Sequence, residues 1–157
     1  MLEKPTAIQG ADVLTSLGWL KDTTVVIEEG RFVSIEPLTS PKGATLVDAR
    51  GLQMLPGIID LHGDAFERMI SPRPGISFPL PMAIAENDCN LIAAGITTFF
   101  YSITDSYEPG LRSREMARQI IEFIGEKNQQ SLSCDSRIHI RHEQANIERH
   151  EELCGWL

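Results

Sequence analysis

The chain has 157 residues, the size of one ordinary domain, and 42% of them are hydrophobic, which is enough for a buried core. Its formal net charge is -8, from 22 acidic and 14 basic residues, which argues against a general nucleic-acid or membrane-surface binder because both attract positive charge. A phosphorylated substrate stays compatible with this charge, since bound divalent ions invert the local field. The sequence has no apolar signal core and no run close to the roughly 20 apolar residues that cross a bilayer, so we predict a cytoplasmic protein.

The first part of the chain, residues 1–55, predicts a small β unit. Segment 23–37, TTVVIEEGRFVSIEP, has two β-rich runs on either side of the turn-compatible pair 29–30, and it predicts a hairpin. Residues 6–15 and 44–57 also favour extended structure, and the whole stretch has few helix signals. We therefore expect a small antiparallel, β-sandwich-like unit.

Apolar strands and amphipathic helices alternate along the second part of the chain, residues 56–157. The predicted elements are a strand at 58–64, a Pro-rich loop at 68–81, a helix at 82–95, a strand at 96–105, a helix at 112–127, a strand at 137–145 and a helix that starts at 146. This order is typical of parallel βαβ units with right-handed crossovers.

The length of this second part limits the α/β fold that it can form. A complete TIM-type (β/α)8 barrel typically has about 250 residues, so residues 56–157 would supply a partial (βα)3, the first three units of a truncated barrel. The alternative is a self-contained three-stranded α/β protein.

A histidine and two carboxylates follow each other at every second position in IIDLHGD. Alternate residues of a barrel strand face the interior, so Ile59 and Leu61 would lie against helices while Asp60, His62 and Asp64 point inward. Imidazole nitrogens and carboxylate oxygens are suitable ligands for Zn²⁺, Mn²⁺ or Fe²⁺. The pattern predicts a divalent metal site, against the alternative of an ordinary polar strand end.

The third predicted strand of this part, RIHIRHEQA, has a similar arrangement. His139, Arg141 and Glu143 would face inward, and Glu143, nearest the carboxyl end, could bind the same ion as His62 or bridge two ions. An inward histidine low in a strand more often fills space through hydrogen bonds than binds a metal, which is our expectation for His139. His142 should face the helices or a loop.

These motifs together resemble a known group of enzymes. A β unit that leads through LPGIIDLH (55–62) into a barrel is similar to the amidohydrolase superfamily, which usually carries H-x-H where this chain has HGD (62–64). The segments DLHGDAFERMISPRPGISFP (60–79), AAGITTFF (93–100) and RIHIRHE (137–143) resemble the diphosphatase family of alkylphosphonate breakdown in the carbon–phosphorus lyase pathway. That resemblance implies hydrolysis of ribose 1-methylphosphonate 5-triphosphate to the 5-phosphate and pyrophosphate.

The resemblance also implies roles for individual residues. His62 and Asp64 match the first-strand metal ligands, and Glu143 matches a third-strand carboxylate that some superfamily members use as a ligand. The implied cofactor is a divalent metal, with two ions in a complete barrel. Asp60 and Glu67 are expected to orient these ligands.

Arg73 lies in the P-R-P-G loop (72–75) of the same motif. Its charge beside the predicted mouth suits contact with a triphosphate, against the alternative that the residue only stiffens the loop. The superfamily's remaining ligand histidines and its proton-transferring aspartate come from later strands that this sequence does not contain. No catalytic residue is therefore assigned, and the chain by itself is expected to be inactive.

Three functions remain open at this point. The first is a metal-dependent hydrolase of phosphoric anhydrides, the second is an amidohydrolase acting on C–N bonds, and the third is a catalytically inactive relative that only oligomerises. The P-R-P-G loop and Asp64 in place of a second histidine favour the first. Because three strands cut from a barrel leave an unpaired edge and apolar faces, we also expect a homo-oligomer.

Overall fold

The structure is a computed structural model that describes residues 4–36, 40–127, 131–145 and 150–156. The chain divides into two compact units, Met1–Pro56 and Gly57–Leu157. The first unit contains the strands β1 (Thr6–Thr15), β2 (Gly18–Glu28), β3 (Arg31–Glu36), β4 (Thr45–Asp48) and β5 (Gln53–Met54). The second contains the strands β6 (Ile58–Gly63), β7 (Ile96–Asp105) and β8 (Asp135–His142), and the helices α1 (Glu67–Ile70), α2 (Leu80–Ala93), α3 (Arg114–Lys127) and α4 (His150–Gly155). The predicted α/β class is confirmed.

The first unit is one five-stranded sheet in which β3, β2, β1 and β4 lie in that order, and β5 also pairs with β1. The predicted hairpin is confirmed, because β2 and β3 pair antiparallel up to Glu28 and Arg31. Glu29 and Gly30 have φ values of 50° and 72°, the left-handed pair that a two-residue type I′ turn needs. The core of the sheet contains the small apolar residues Ala11, Val13, Val25 and Ala49.

The prediction that this unit is wholly antiparallel and sandwich-like is wrong. Strands β4 and β5 run parallel to β1, with Thr6 opposite Thr45 and Asp12 opposite Gln53. All five strands belong to one sheet rather than two. The sequence did not reveal this pairing because side-chain alternation along a strand is the same for parallel and antiparallel partners.

The second unit is built on a parallel sheet with the strand order β6, β7, β8. Phe99, Tyr101 and Ile103 of β7 are buried in the core that the helices cover, so Ser102 and Thr104 face the opposite side of the sheet. The helices contribute Ile84, Leu91, Ala117, Ile120 and Ile124 to that core. The alternation of strands and helices agrees with the prediction, while its assignment to the first three units of a TIM-type barrel stays a prediction.

The predicted element boundaries in this unit agree with the structure to within three residues, except in the Pro-rich segment 68–81. That segment contains part of α1 and the first two residues of α2. Pro81 is tolerated there because the first turn of a helix makes no use of the backbone N–H that proline lacks. A single 3₁₀ turn, Gly110–Arg112, precedes α3. The start of the last predicted helix, residues 146–149, lies outside the described residues.

The helices of the second unit are short and cover the sheet. The helices α2 and α3 have 14 residues each, whereas a helix that spans a bilayer needs about 20 apolar residues. Within the ranges that the structure describes, no helix is long and apolar enough to cross a membrane.

Candidate functional site

The end of β6, which carries the predicted ligands, departs from regular strand pairing. Asp60 lies opposite Phe99 and Gly63 lies opposite Tyr101, so β6 has one residue more than β7 over this interval. An extra residue of this kind is a β-bulge, which redirects side chains and releases backbone groups from the ladder. The bulge falls at residues 61–62, at the predicted metal ligand.

The bulge brings β6 into contact with His139 of β8. Nδ1 of His139 lies 3.0 Å from the carbonyl oxygen of Leu61. Because a carbonyl only accepts, Nδ1 carries the proton and donates, and the lone pair of the neutral ring is on Nε2. The rings of His62 and His139 meet edge to face, with centroids 4.8 Å apart and an interplanar angle of 84°. Two imidazoles therefore lie side by side on the face opposite the helices.

The residues on either side of His62 fix its main chain. Oδ1 of Asp60 accepts a hydrogen bond of 3.0 Å from the backbone N–H of His62. A Cβ added at Gly63 would lie only 2.0 Å from Cε2 of the buried Phe99 ring. Asp60, which was predicted to orient a ligand, thus holds the main chain of His62, and Gly63 allows the strand to approach Phe99.

Two buried hydroxyl groups lie on β7 beside the histidines. Ser102 is opposite His139 and Thr104 is opposite Arg141 in the parallel pairing, so these residues share one face. Ser102 is 0% exposed and Thr104 is 8% exposed, and neither hydroxyl oxygen has a hydrogen-bond partner within the described ranges. Leaving a buried hydroxyl without a partner costs about 1–3 kcal/mol, and a bound polar ligand or water would remove that cost.

Glu67, also predicted to orient the ligands, forms an ion pair with Arg112. The closest approach is 3.2 Å, from Nη2 of Arg112 to Oε2 of Glu67, and it links the start of α1 to the 3₁₀ turn that precedes α3. The hydrogen bond and charge of Glu67, with the charges of Glu108 and Asp64, raise the pKa of Arg112. Sequence reasoning missed Arg112, because it lies in no motif and only the fold brings it beside Glu67.

Arg73 begins a tight turn. The N–H of Ile76 donates to the carbonyl of Arg73 at 3.1 Å, and Gly75 has a φ of 78°, as a type II turn with proline at its second position requires. The turn is thus built by Pro74 and Gly75. The side chain of Arg73 is exposed and has no hydrogen bond or ion pair among the residues that the structure describes, so its guanidinium remains available to a ligand.

The remaining predicted ligand, Glu143, lies one residue beyond β8, where its backbone N–H is 3.4 Å from the carbonyl oxygen of Asp105. In the part of the chain that the structure describes, no three His, Cys, Asp or Glu side chains form a group that could hold a metal ion. The predicted set of His62, Asp64 and Glu143 therefore stays a prediction. The structure does bring the imidazole rings of His62 and His139 together, and imidazole nitrogen is a common donor to transition metals.

A buried ion pair that the sequence did not reveal lies at the end of β7, on the helix side. Arg114 of α3 donates two hydrogen bonds to the fully buried Asp105, at 2.8 and 2.6 Å. Nδ1 of His142 is 2.8 Å from the same carboxylate, so His142 faces the helices as predicted. Burial alone raises the pKa of Asp105, but the hydrogen bonds from Arg114 and His142 outweigh it and hold that pKa below its usual value.

Two curated enzymes are similar to this sequence. The chain is 31% identical over 98 residues to alpha-D-ribose 1-methylphosphonate 5-triphosphate diphosphatase of Escherichia coli (strain K12), a match that covers 60% of this chain and 26% of that protein. It is 43% identical over 51 residues to adenine deaminase 2 of Shouchella clausii (strain KSM-K16), which covers 31% of this chain and 9% of that protein. The predicted resemblance to the diphosphatase is confirmed. No family model matches the chain.

Several solved hydrolase structures have a similar fold over part of their length. D-hydantoinase gives a TM-score of 0.63 at 19% identity, covering 96% of this chain and 31% of that one. Dihydropyrimidinase from Brevibacillus agri NCHU1002 gives 0.61 at 20% identity, covering 95% and 30%. Phenylurea hydrolase B gives 0.59 at 20% identity, covering 88% and 30%. At such identities the similarity concerns the fold alone, and the chain spans less than a third of each structure.

Proposed function

We propose that this chain takes part in the metal-dependent hydrolysis of a phosphorylated small molecule, with ribose 1-methylphosphonate 5-triphosphate as the first candidate substrate. The products would be the 5-phosphate and pyrophosphate. The observation that carries this proposal is the identity of 31% over 98 residues to the diphosphatase. Since the match spans about a quarter of that enzyme, the proposal concerns the part of the site that these residues form.

A divalent ion would be held at the carboxyl end of β6 by His62 and Asp64, with Glu143 after β8 as a further ligand. Zn²⁺, Mn²⁺ and Fe²⁺ all suit imidazole and carboxylate ligands. When bound, such an ion polarises a phosphoryl oxygen and lowers the pKa of a bound water to about 7. Asp60 keeps the main chain of His62 in place through its 3.0 Å hydrogen bond. No residue of this chain is assigned as the proton-transfer group.

Arg73 and Arg112 would bind the phosphate groups. Both lie after the carboxyl ends of parallel strands, Arg73 in the segment that follows β6 and Arg112 in the turn that follows β7. The side chain of Arg112 is 43% exposed despite its ion pair with Glu67, so a phosphate oxygen can reach it. Guanidinium groups bind phosphate through paired, charge-assisted hydrogen bonds, which would bring positive charge to the mouth of an otherwise acidic chain.

A second candidate is the hydrolysis of C–N bonds. The match to adenine deaminase 2, at 43% identity, favours this candidate, although it covers only 31% of the chain. The same metal ligands would serve either reaction, because a metal ion polarises a carbon centre as it does a phosphoryl group. Arg73 and Arg112 favour a phosphorylated substrate over adenine, because a neutral purine has no anionic group for them to bind.

Binding of a triphosphate tests the first candidate directly. We expect calorimetric titration with a ribose 5-triphosphate analogue and Mn²⁺ to show binding, and Arg73→Ala to weaken it by about tenfold or more, because a hydrogen bond to a charged group contributes about 1.5–3 kcal/mol. Arg137→Ala is the matched control. Arg137 is also exposed but pairs with Asp135 at the opposite, amino-terminal end of β8.

The control should bind like the wild type, and equal affinity in all three proteins would remove Arg73 from the site. The reaction itself is followed on the metal-loaded protein. Release of pyrophosphate, measured by phosphorus NMR, supports the diphosphatase proposal. Release of ammonia from adenine instead favours the second candidate. The absence of both products is what a catalytically inactive relative would show.

A further inference from the structure

The rings of His62 and His139 lie close enough for both residues to bind one metal ion after a rotation of the exposed His62 side chain. In a tetrahedral Zn²⁺ site with Zn–N distances of about 2.0–2.1 Å, two ligating imidazoles have centroids about 5 Å apart. The observed separation is 4.8 Å. His62 is exposed, so its ring can turn about χ1 and χ2 to direct a nitrogen towards an ion that His139 also binds.

Nδ1 of His139, the ring nitrogen that would not bind the ion, makes the kind of hydrogen bond that is usual in metal-binding histidines. A histidine ligand almost always donates its other ring N–H to a carboxylate, a backbone carbonyl or a water, which fixes the tautomer and the ring orientation. His139 donates from Nδ1 to the carbonyl of Leu61 at 3.0 Å. That carbonyl belongs to the bulged segment of β6. Because it accepts the hydrogen bond from Nδ1, the lone pair on Nε2 is free to bind an ion.

The surroundings of the pair suit a hydrated cation. Ser102 and Thr104 lie on the same face, and their buried hydroxyls have no hydrogen-bond partner among the described residues. Water molecules bound to an ion would give these hydroxyls partners. Asp60 and Asp64 add negative charge on either side of His62, which favours a cation at this position.

We propose that His62 and His139 together form the nucleus of a transition-metal site on the face of the sheet opposite the helices, with His139 bound through Nε2. The proposal rests on the metal dependence of the proposed function and adds a ligand to it. Two imidazoles favour Zn²⁺, Co²⁺ or Fe²⁺ over Mg²⁺ and Ca²⁺, which prefer oxygen ligands. Water molecules complete the coordination, because no third His, Cys, Asp or Glu side chain groups with the pair among the described residues.

Titration of the full chain with Co²⁺ alone, followed by the visible absorption of the ion and by calorimetry, tests this site. His139→Asn is the informative variant, because the asparagine N–H₂ can still donate to Leu61 while the ligand nitrogen is lost. We expect His139→Asn and His62→Asn each to weaken Co²⁺ binding at least about tenfold. His142→Asn is the matched control, since His142 lies on the same strand but faces the helices, and it should bind Co²⁺ like the wild type.

The outcomes separate this site from the proposed function. If His139→Asn binds Co²⁺ like the wild type while His62→Asn and Glu143→Gln bind it weakly, His139 is not a ligand. The two-histidine site is then wrong, and the proposed metal-dependent function stands. If the pair binds Co²⁺ but no triphosphate is hydrolysed, the site stands and the diphosphatase proposal fails. Absence of Co²⁺ binding by the wild-type chain would contradict the proposed two-histidine site.

Nitrogen NMR on the wild-type protein tests the same site without any variant, so it applies even if the variants do not fold. Zn²⁺ should shift the imidazole nitrogen resonances of two histidines, assigned to His62 and His139, in the nitrogen NMR spectrum of histidine-labelled protein. Unchanged resonances of His139 at saturating Zn²⁺ would overturn the proposal.

Discussion

Asp60 and Gly63 flank the bulge at residues 61–62 and constrain the main chain of His62. Asp60 accepts the backbone N–H of His62, and Gly63 lets the strand lie against the ring of Phe99. Neither residue contacts the imidazole of His62 through a hydrogen bond that the structure shows. Asp60 and Gly63 thus fix the main-chain position of His62, and the contact of its imidazole that the structure shows is with the ring of His139.

The substitution Gly63→Ala tests this constraint on the main chain. The new Cβ would lie 2.0 Å from Cε2 of Phe99 and 2.1 Å from Cζ, and Phe99 is buried in the core, so the ring cannot move without displacing its neighbours. Such overpacking typically costs about 1–3 kcal/mol. We expect a lower free energy of unfolding by that amount in urea denaturation, together with weaker Co²⁺ binding.

The matched control is Gly125→Ala in α3, where an added Cβ meets no atom within 4 Å. Alanine stabilises a helix interior by up to about 1 kcal/mol relative to glycine, so this variant should be as stable as the wild type or more stable. If Gly63→Ala behaved like Gly125→Ala, the close packing of β6 on Phe99 would be wrong.

Among the secondary-structure elements, the carboxylate of Asp105 joins β7 to α3 and β8 through its bonds to Arg114 and His142. The connection extends to α4, because Arg118 forms an ion pair with Glu152 and Arg114 approaches the same carboxylate at 3.8 Å. A partly buried network of this kind is sensitive to the loss of any member, since the remaining charges stay buried without a partner.

Replacing Asp105 by Asn should therefore destabilise the second unit. Breaking a buried ion pair by removing one partner costs about 3–5 kcal/mol, and the guanidinium of Arg114, only 10% exposed, would be left without that carboxylate. The pKa of Asp105 is lowered in the folded state from its ordinary value of 3.8. Its stabilisation is thus fully present above pH 3.8 and is lost as the pH falls through the lower folded value.

Urea denaturation of wild type and Asp105→Asn between pH 7 and pH 2 measures both effects. The difference in free energy of unfolding should be largest near neutral pH and should shrink below about pH 4. Asp48→Asn is the control, since Asp48 forms an exposed ion pair with Arg50 and exposed pairs contribute little. A difference that stayed constant down to pH 2 would show that the charge of Asp105 is not what stabilises the fold.

For the whole molecule, the apolar residues of β6 bear on self-association. Ile58, Ile59 and Leu61 are all more than half exposed, and within the described residues neither β6 nor β8 has a strand partner on its outer side. Unpaired strand edges and exposed apolar patches favour association with another chain. We therefore expect a homo-oligomer, most simply a two-fold dimer.

Light scattering over a range of protein concentrations tests this expectation. Ile59→Lys should shift the distribution towards the monomer, because a lysine at an apolar contact must be desolvated. Leu17→Lys, in a turn of the first unit where Leu17 is 97% exposed, should leave the mass unchanged. A wild-type chain that is monomeric at all concentrations and unfolds cooperatively would contradict the prediction.

Much of the fold could be predicted from the sequence because it depends on local periodicity. The strand at 96–105 and the β2–β3 hairpin follow from alternating or continuous apolar runs and from residues suited to a turn. The placing of His139 on the face opposite the helices follows from the same period of two. Each of these features depends on residues close together in the chain. The prediction that Ile59 and Leu61 of β6 lie against helices is wrong, since both are more than half exposed and two register shifts interrupt the pairing of β6 with β7.

Contacts between distant residues were decided only by the tertiary structure. The parallel pairing of β4 and β5 with β1, the bond from His139 to Leu61, the ion pair of Glu67 with Arg112 and the contact of His142 with Asp105 all belong to this group. The last three join residues 78, 45 and 37 positions apart. Periodicity shows which side of a strand is buried, but strand order and register are set by the simultaneous packing of the whole core, and that packing brings these side chains together.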